Sequence, residues 1–294
     1  MRELKILAVV VALTLITYWG VEPYAHHQMH PQVEAADFTF ADVKKDVEDV
    51  TALQGDATNG EVLVTANCTA CHSIESKGFP QLMDNASSGA AYGVTPPDLG
   101  SAGKLYDATY LAAFIKDPAS ASKVAHKFVD GKVHPMPSYN WMQPQEIADM
   151  VAYLKSIAPK EMTNKEVYAD ACQRCHGIKY ADMKGGSMAA FTANADIKHY
   201  MGKLPPDLSQ YIKSRGHEYL ETFINNPQKH LEGTAMPRVG LNEESQAQAI
   251  TYLEEIGESK KAEREELGPK FLIYMVIFAI FGFLWKASKW RDVH

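Results

Sequence analysis

The chain has 294 residues, 46% apolar and 22% charged, with a net charge of −7. That length suits about two ordinary domains, and the composition excludes a disordered chain. An acidic balance argues against a nucleic-acid binder, which shows a basic face, and leaves a solvated surface or a surface that docks a basic partner.

Residues 6–21 (ILAVVVALTLITYWGV) carry no charge and form the first predicted element, an apolar helix. Arg2 and Lys5 precede it. The run is short for a bilayer span, which takes about 20 residues. It is read as a retained anchor over residues 1–24 in preference to a cleaved signal peptide, because GVEPYAHH follows with no clear small-x-small site. His26, His27 and His30 come next, as polar residues at a membrane interface rather than as a metal site. Residues 25–55 are expected to form a connector, in which 37–56 are acidic and helix-like and are read as solvated.

Two units are predicted after it, over residues 56–160 and 161–260. The chain has 4 cysteines, Cys68, Cys71, Cys172 and Cys175. All fall in two copies of Cys-x-x-Cys-His, NCTACHSIES at 67–76 and ACQRCHGIKY at 171–180. A thioredoxin-type dithiol needs a preceding strand pattern, and neither copy has one. A zinc knuckle needs the two pairs close together, and they stand 104 residues apart. The histidine that follows directly decides between readings, because Cys-x-x-Cys-His is the attachment signature of c-type haem. Cysteines at i and i+3 lie on one side of a helical turn and can add to two haem vinyl groups. The next residue, His72 or His176, then reaches the iron. Two covalent haem c groups are therefore expected.

Other landmarks repeat in the same order. TPPDLG at 95–100 matches LPPDLS at 204–209, and YLAAFIKDP at 110–118 matches YLETFINNP at 219–227. HPMPSY at 134–139 matches TAMPRV at 234–239, and MVAYLKSI at 150–157 matches AITYLEEI at 249–256. Offsets of 99 to 109 residues make the middle of the chain two copies of one unit.

Each unit reads as all-α. A helix is expected over 57–71 and over 163–175, running into the haem motif, with Asp56 and Asn164 as N-caps. YLAAFIKD carries a helical stripe that Pro118 stops. Ile147, Met150, Val151, Leu154 and Ile157 share one face of a closing helix. Glycine-containing loops are expected over 77–95 and 179–204.

The repeat also selects the second axial ligand. Met136 and Met236, each followed by proline, hold matching places in the loop before the closing helix. Rivals are His134, Met83, Met142 and Met150 in the first unit, with Met150 assigned to the core, and Met183, Met188 and Met201 in the second. A thioether ligand raises the potential and closes the iron to substrate, so no catalytic residue is expected. Arg174 and Lys179 are read as solvated charges rather than propionate partners, and Tyr110 and Tyr219 as helix packing.

The last predicted element is FLIYMVIFAIFGFLW at 271–285, with Lys286, Lys289 and Arg291 beyond it, giving an anchor and basic tail over 261–294. The positive-inside rule puts both termini in the cytoplasm and residues 25–265 across the membrane, in the periplasm of a bacterium.

The haem motif, Pro-Pro-Asp-Leu loop, Tyr-Leu-x-x-Phe-Ile helix, Met-Pro loop and amphipathic closing helix together resemble class I cytochrome c domains, in a tandem cytochrome c4-like arrangement. With both anchors, the chain resembles the di-haem cytochrome c1 subunit of a bacterial quinol–cytochrome c oxidoreductase (bc1 complex). Ordinary cytochrome c1 carries one haem and one C-terminal anchor. The resemblance implies cytochrome b and Rieske iron–sulfur partners in the inner membrane, and a periplasmic cytochrome c or oxidase as acceptor. Two alternatives stand beside it. A cbb3-type oxidase subunit also carries tandem haem domains, but no C-terminal anchor is expected there. A di-haem enzyme such as a peroxidase keeps an open iron.

Overall fold

The computed structural model describes residues 2–29, 34–185 and 194–291. His30 and Met188 lie outside them. Helices dominate, and among the described residues strand pairing is limited to isolated bridges at Ile74–Phe79, Tyr106–Leu241 and Ile178–Met183.

The leading helix of the first unit spans Ala57–Asn67, and Asp56 caps it by accepting from Thr58 N at 2.8 Å. It ends at the first cysteine, so the haem motif is a separate turn and not the helix continuation expected from sequence. The middle helix, Ala108–Lys116, begins where Asp107 accepts from the backbone of Thr109 and Tyr110. The closing helix, Pro144–Ile157, opens on a capping box between Gln143 and Glu146, with proline at its start.

Leading and closing helices cross in close contact. A Cβ on Gly60 would lie 2.0 Å from the Asp149 carbonyl oxygen, so only glycine fits that crossing. Asp149, 2% exposed, closes it from the other side. Its carboxylate accepts from Asp56 N and Asn59 Nδ2 at 2.7 Å each, and from Gln145 Nε2 at 2.8 Å. Burial alone would push its pKa up, but these three donors outweigh it and hold the group below the ordinary carboxylate value. Asp149→Ala is expected to cost about 2 kcal/mol in urea denaturation, because it orphans buried donors. A depressed folded-state pKa adds stability above the unfolded value of about 3.9, lost as pH falls through the folded pKa. The stability–pH curve of Asp149→Asn should therefore be flatter than wild type in that acid range.

The second unit repeats the plan. Its leading helix is Asn164–Ala171, its middle helix His217–Asn225 and its closing helix Glu243–Gly257. The cap of the leading helix is Thr163, in a capping box with Glu166, and not the expected Asn164, whose side chain instead reaches Glu255. Val167, Tyr168, Ala249 and Ile250 are fully buried where the two helices meet.

Two loop expectations need correction. Residues 77–95 contain a helix at Asn85–Tyr92 capped by Asp84, and 179–204 contain one at Asn194–Met201. The supposed solvated connector is also packed. Phe40, Val43, Val47 and Val50 are buried in the core of the first unit. Spacings of three and four put them on one face, so the acidic residues between them point outward.

A seam joins the units. Asp107 N donates to Gly240 O at 3.1 Å, Asn242 N to Leu105 O at 3.0 Å and Arg238 N to Ser122 O at 2.9 Å. Lys104 pairs with Glu244 at 2.8 Å, and Ser101 Oγ donates to Asp170 at 2.6 Å.

The terminal helices extend beyond the apolar runs. Leu4–Met29 has 26 residues, with a π-helical turn at Thr17–Val21, and Lys261–Arg291 has 31. At 1.5 Å per residue they reach about 39 and 46 Å, long and apolar enough to cross a membrane. Thr14 and Thr17 satisfy their hydroxyls on carbonyls one turn back, at 2.9 Å each.

Candidate haem sites

Each site is built from one backbone turn. Cys71 N bonds Cys68 O at 3.1 Å and His72 N bonds Cys68 O at 2.8 Å. The second unit repeats both, with Cys175 N to Cys172 O at 3.1 Å and His176 N to Cys172 O at 2.8 Å. No disulfide joins any of the four cysteines, which are all half-buried. Burial, with a smaller push from the paired cysteine, raises Cys68 and Cys172 to about 12 each. A half-buried pair whose first thiol is held protonated suits a covalent partner better than a thiolate-based reaction.

The histidines are oriented by carbonyls from the Pro-Pro-Asp-Leu loops. His72 Nδ1 lies 2.7 Å from Pro97 O and His176 Nδ1 lies 2.9 Å from Pro206 O. A carbonyl only accepts, so Nδ1 carries the proton and Nε2 keeps the lone pair a metal needs. Burial pushes His72 down to about 4, with Arg174 acting in the same direction. Burial likewise lowers His176. Both rings are held in the neutral, ligating form.

The same loops are tied to the motifs. Asp98 accepts from Ser73 Oγ at 2.7 Å, Glu75 N at 2.8 Å and Gly100 N at 2.7 Å. Asp207 accepts from Lys179 N at 2.8 Å and Ser209 N at 3.1 Å. Leu99 N reaches Ser73 O, and Leu208 N reaches Gly177 O, at 2.9 Å each. The sequence marked these loops only as landmarks. Their contribution is a backbone carbonyl, which has no side-chain signature.

Met136 and Met236 are half-buried, each against its own unit's core. Each has a polar side chain two residues before it that faces its backbone. His134 Nδ1 lies 3.0 Å from Met136 O and 3.1 Å from Met136 N, and Thr234 Oγ1 accepts from Met236 N at 3.3 Å. The rivals sit differently. Met142 and Met150 are core residues, 6% and 1% exposed. His134 packs edge-on against Phe114 and Phe128. Met183 Sδ accepts from Tyr252 OH at 3.2 Å. Met83 N bonds Ala70 O at 3.1 Å, and half-buried Met201 ends its short helix.

Three further expectations meet the structure here. Arg174 is not a solvated charge, for it crosses the seam to Thr95 O at 2.8 Å. Lys179 is exposed, with its backbone N–H on Asp207. Tyr110 is buried and donates to Arg238 O at 2.6 Å, and Tyr219 stacks on Phe223. His26 and His27 stand exposed on the helix Glu22–Met29.

The residues fit haem c. Paired half-buried cysteines, neutral histidines with Nε2 available, and half-buried Leu99, Phe79 and Tyr139 left partly open at the core edge form the surroundings of a flat apolar group.

Comparison with known proteins agrees. The family description "Cytochrome c" matches residues 57–158 and again 163–257. A "Cytochrome c-553-like" protein of Synechocystis sp. (strain ATCC 27184 / PCC 6803 / Kazusa) is 29% identical over 120 residues, covering 41% of this chain and 87% of that one. A solved chain described as "Hyperthermophilic respiratory Complex III" is 19% identical, with a TM-score of 0.35 and 100% of each chain covered. With the family matched over both units, the chain belongs to the cytochrome c family and is an electron-transfer protein with two covalent haem c groups.

Proposed function

We propose that this chain is the di-haem cytochrome c1 subunit of a bacterial quinol–cytochrome c oxidoreductase. It takes electrons from a Rieske iron–sulfur partner beside cytochrome b and delivers them to a periplasmic cytochrome c or an oxidase. The observation that carries this reading is the pair of long exposed helices, Leu4–Met29 and Lys261–Arg291, bracketing two tandem haem units. The second of these disfavours the oxidase-subunit alternative. Both termini are then cytoplasmic and both units periplasmic, a reading supported by Arg2 and Lys5 before the first apolar run and Lys286, Lys289 and Arg291 after the second.

The bound haems supply reversible one-electron iron chemistry. Cys68, Cys71, Cys172 and Cys175 attach them, and His72 and His176 ligate through Nε2. Met136 and Met236 complete the axial sets, which raises the potentials and denies the irons an open position. Met136→His and Met236→His should each lower one wave of a potentiometric titration and abolish one methionine–iron charge-transfer band. An unchanged titration in either variant would remove that methionine from the ligand set.

The test of the whole reading is gentle detergent extraction, capture of this chain and low-temperature EPR of the ascorbate-reduced complex. A reduced Rieske signal with b haems and two c haems is expected. Copper and high-spin haem without a Rieske signal would assign the chain to an oxidase.

A further inference from the structure

Arg174 occupies the variable position just before Cys175 in the second haem motif. The motif's chemistry leaves that position free. Its side chain nevertheless leaves its own unit and donates from Nη2 to the Thr95 carbonyl of the first, at 2.8 Å. Thr95 is 3% exposed. Two residues on, the Pro97 carbonyl holds His72 Nδ1 at 2.7 Å. Arg174 and Pro97 also line one small cavity in the seam, about 30 Å³ in volume, with Ser101, Tyr106 and Asp170.

Among the described residues no carboxylate forms an ion pair with the Arg174 guanidinium. Its Nε is buried and makes no hydrogen bond. The two nearby carboxylates are engaged elsewhere, Asp170 with Ser101 Oγ, and Asp98 with Ser73, Glu75 and Gly100. A half-buried guanidinium with a buried, unbonded Nε and no ion-pair partner among the described residues adds little to such a seam. A neutral side chain of similar length would bond Thr95 as well, so the seam's stability alone does not explain an arginine.

We infer that Arg174 is a positioning residue acting across the seam. It braces the Thr95–Pro97 segment that orients His72, and sets a fixed positive charge beside the first haem site from within the second motif. The inference rests on the reading of His72 as the iron ligand. A nearby positive charge disfavours the more positive oxidised state, so Arg174 holds the first unit's potential up. Changes at the second motif are thereby felt at the first.

The test uses the full-length holoprotein in detergent, in a Met236→His background that moves the second unit's wave away to lower potential. Arg174→Gln should shift the first-unit wave to lower potential with two haems per chain retained, and Arg174→Lys should restore most of that shift. If Arg174→Gln does not fold, Arg174→Met keeps the aliphatic stem in the seam and is read the same way. A first-unit wave unmoved in a neutral variant that keeps both haems overturns the inference. So does a lysine variant no better than the neutral one. His72→Met is run alongside; an unaltered first-unit spectrum there would remove the ligand reading beneath it, whatever Arg174 does.

Discussion

Gly240→Ala is expected to lower stability by about 4 kcal/mol. Gly240 has a φ of +77°, where a side chain costs roughly 1–2 kcal/mol. The added Cβ would also fall 1.9 Å from Tyr110 Cδ1. Tyr110 has little room to yield, being 3% exposed and tied to Arg238 O at 2.6 Å. Moving it adds an overpacking cost of about 1–3 kcal/mol. Denaturant unfolding followed by circular dichroism measures the sum. In a Tyr110→Ala background the same change should cost only the backbone part, about 1–2 kcal/mol. A full cost there would put the effect somewhere other than the ring.

Arg238→Ala should cost about 1.5–3 kcal/mol, the range for losing hydrogen bonds to a charged group, since the Asp42 carboxylate at the other end is 37% exposed. Arg238 is 2% exposed. Its Nε donates to Asn225 O at 2.8 Å, its Nη1 meets Asp42 at 2.8 Å, and its guanidinium lies 5.2 Å from the centre of the Phe40 ring. Burial would raise the Asp42 pKa, but Lys123 and Arg238 together hold it below the ordinary value. Without Arg238, Asp42 keeps only Lys123. The segment around Phe40 should then exchange its amide hydrogens faster than the rest of the first unit. Combining Arg238→Met with Asp42→Asn should cost less than the two single changes added, since both remove the same pair of hydrogen bonds. Additive costs would show that the pair is not coupled.

These two sites also mark what the sequence conceals. The haem motifs, the Met-Pro loops and the closing helix carried by Ile147, Met150, Val151 and Leu154 were readable because each has a side-chain pattern with one physical meaning. The leading-helix boundary was misjudged because Cys-x-x-Cys-His fits a helix and a capping turn equally well. Phe40, Val43, Val47 and Val50 were overlooked because the acids between them dominate the segment's composition. The carbonyls of Pro97 and Pro206 escaped notice because backbone atoms look alike in every sequence. Arg174 reads as a solvated charge from sequence because its partner, Thr95, belongs to the other unit. Contacts made only by docking two folded bodies have no local periodicity to reveal them.

The seam makes the duplication unequal. The loop around Met136 is held within its own unit, by Ser138 Oγ on Lys116 O and Tyr139 N on Ile115 O. The loop after Met236 leans instead on Ser122, Leu105 and Asp107 of the first. The first unit is thus the surface on which residues 236–242 settle. Cut away from it, the second unit would keep its own helices, but that loop would lose the backbone partners that Ser122, Leu105 and Asp107 supply.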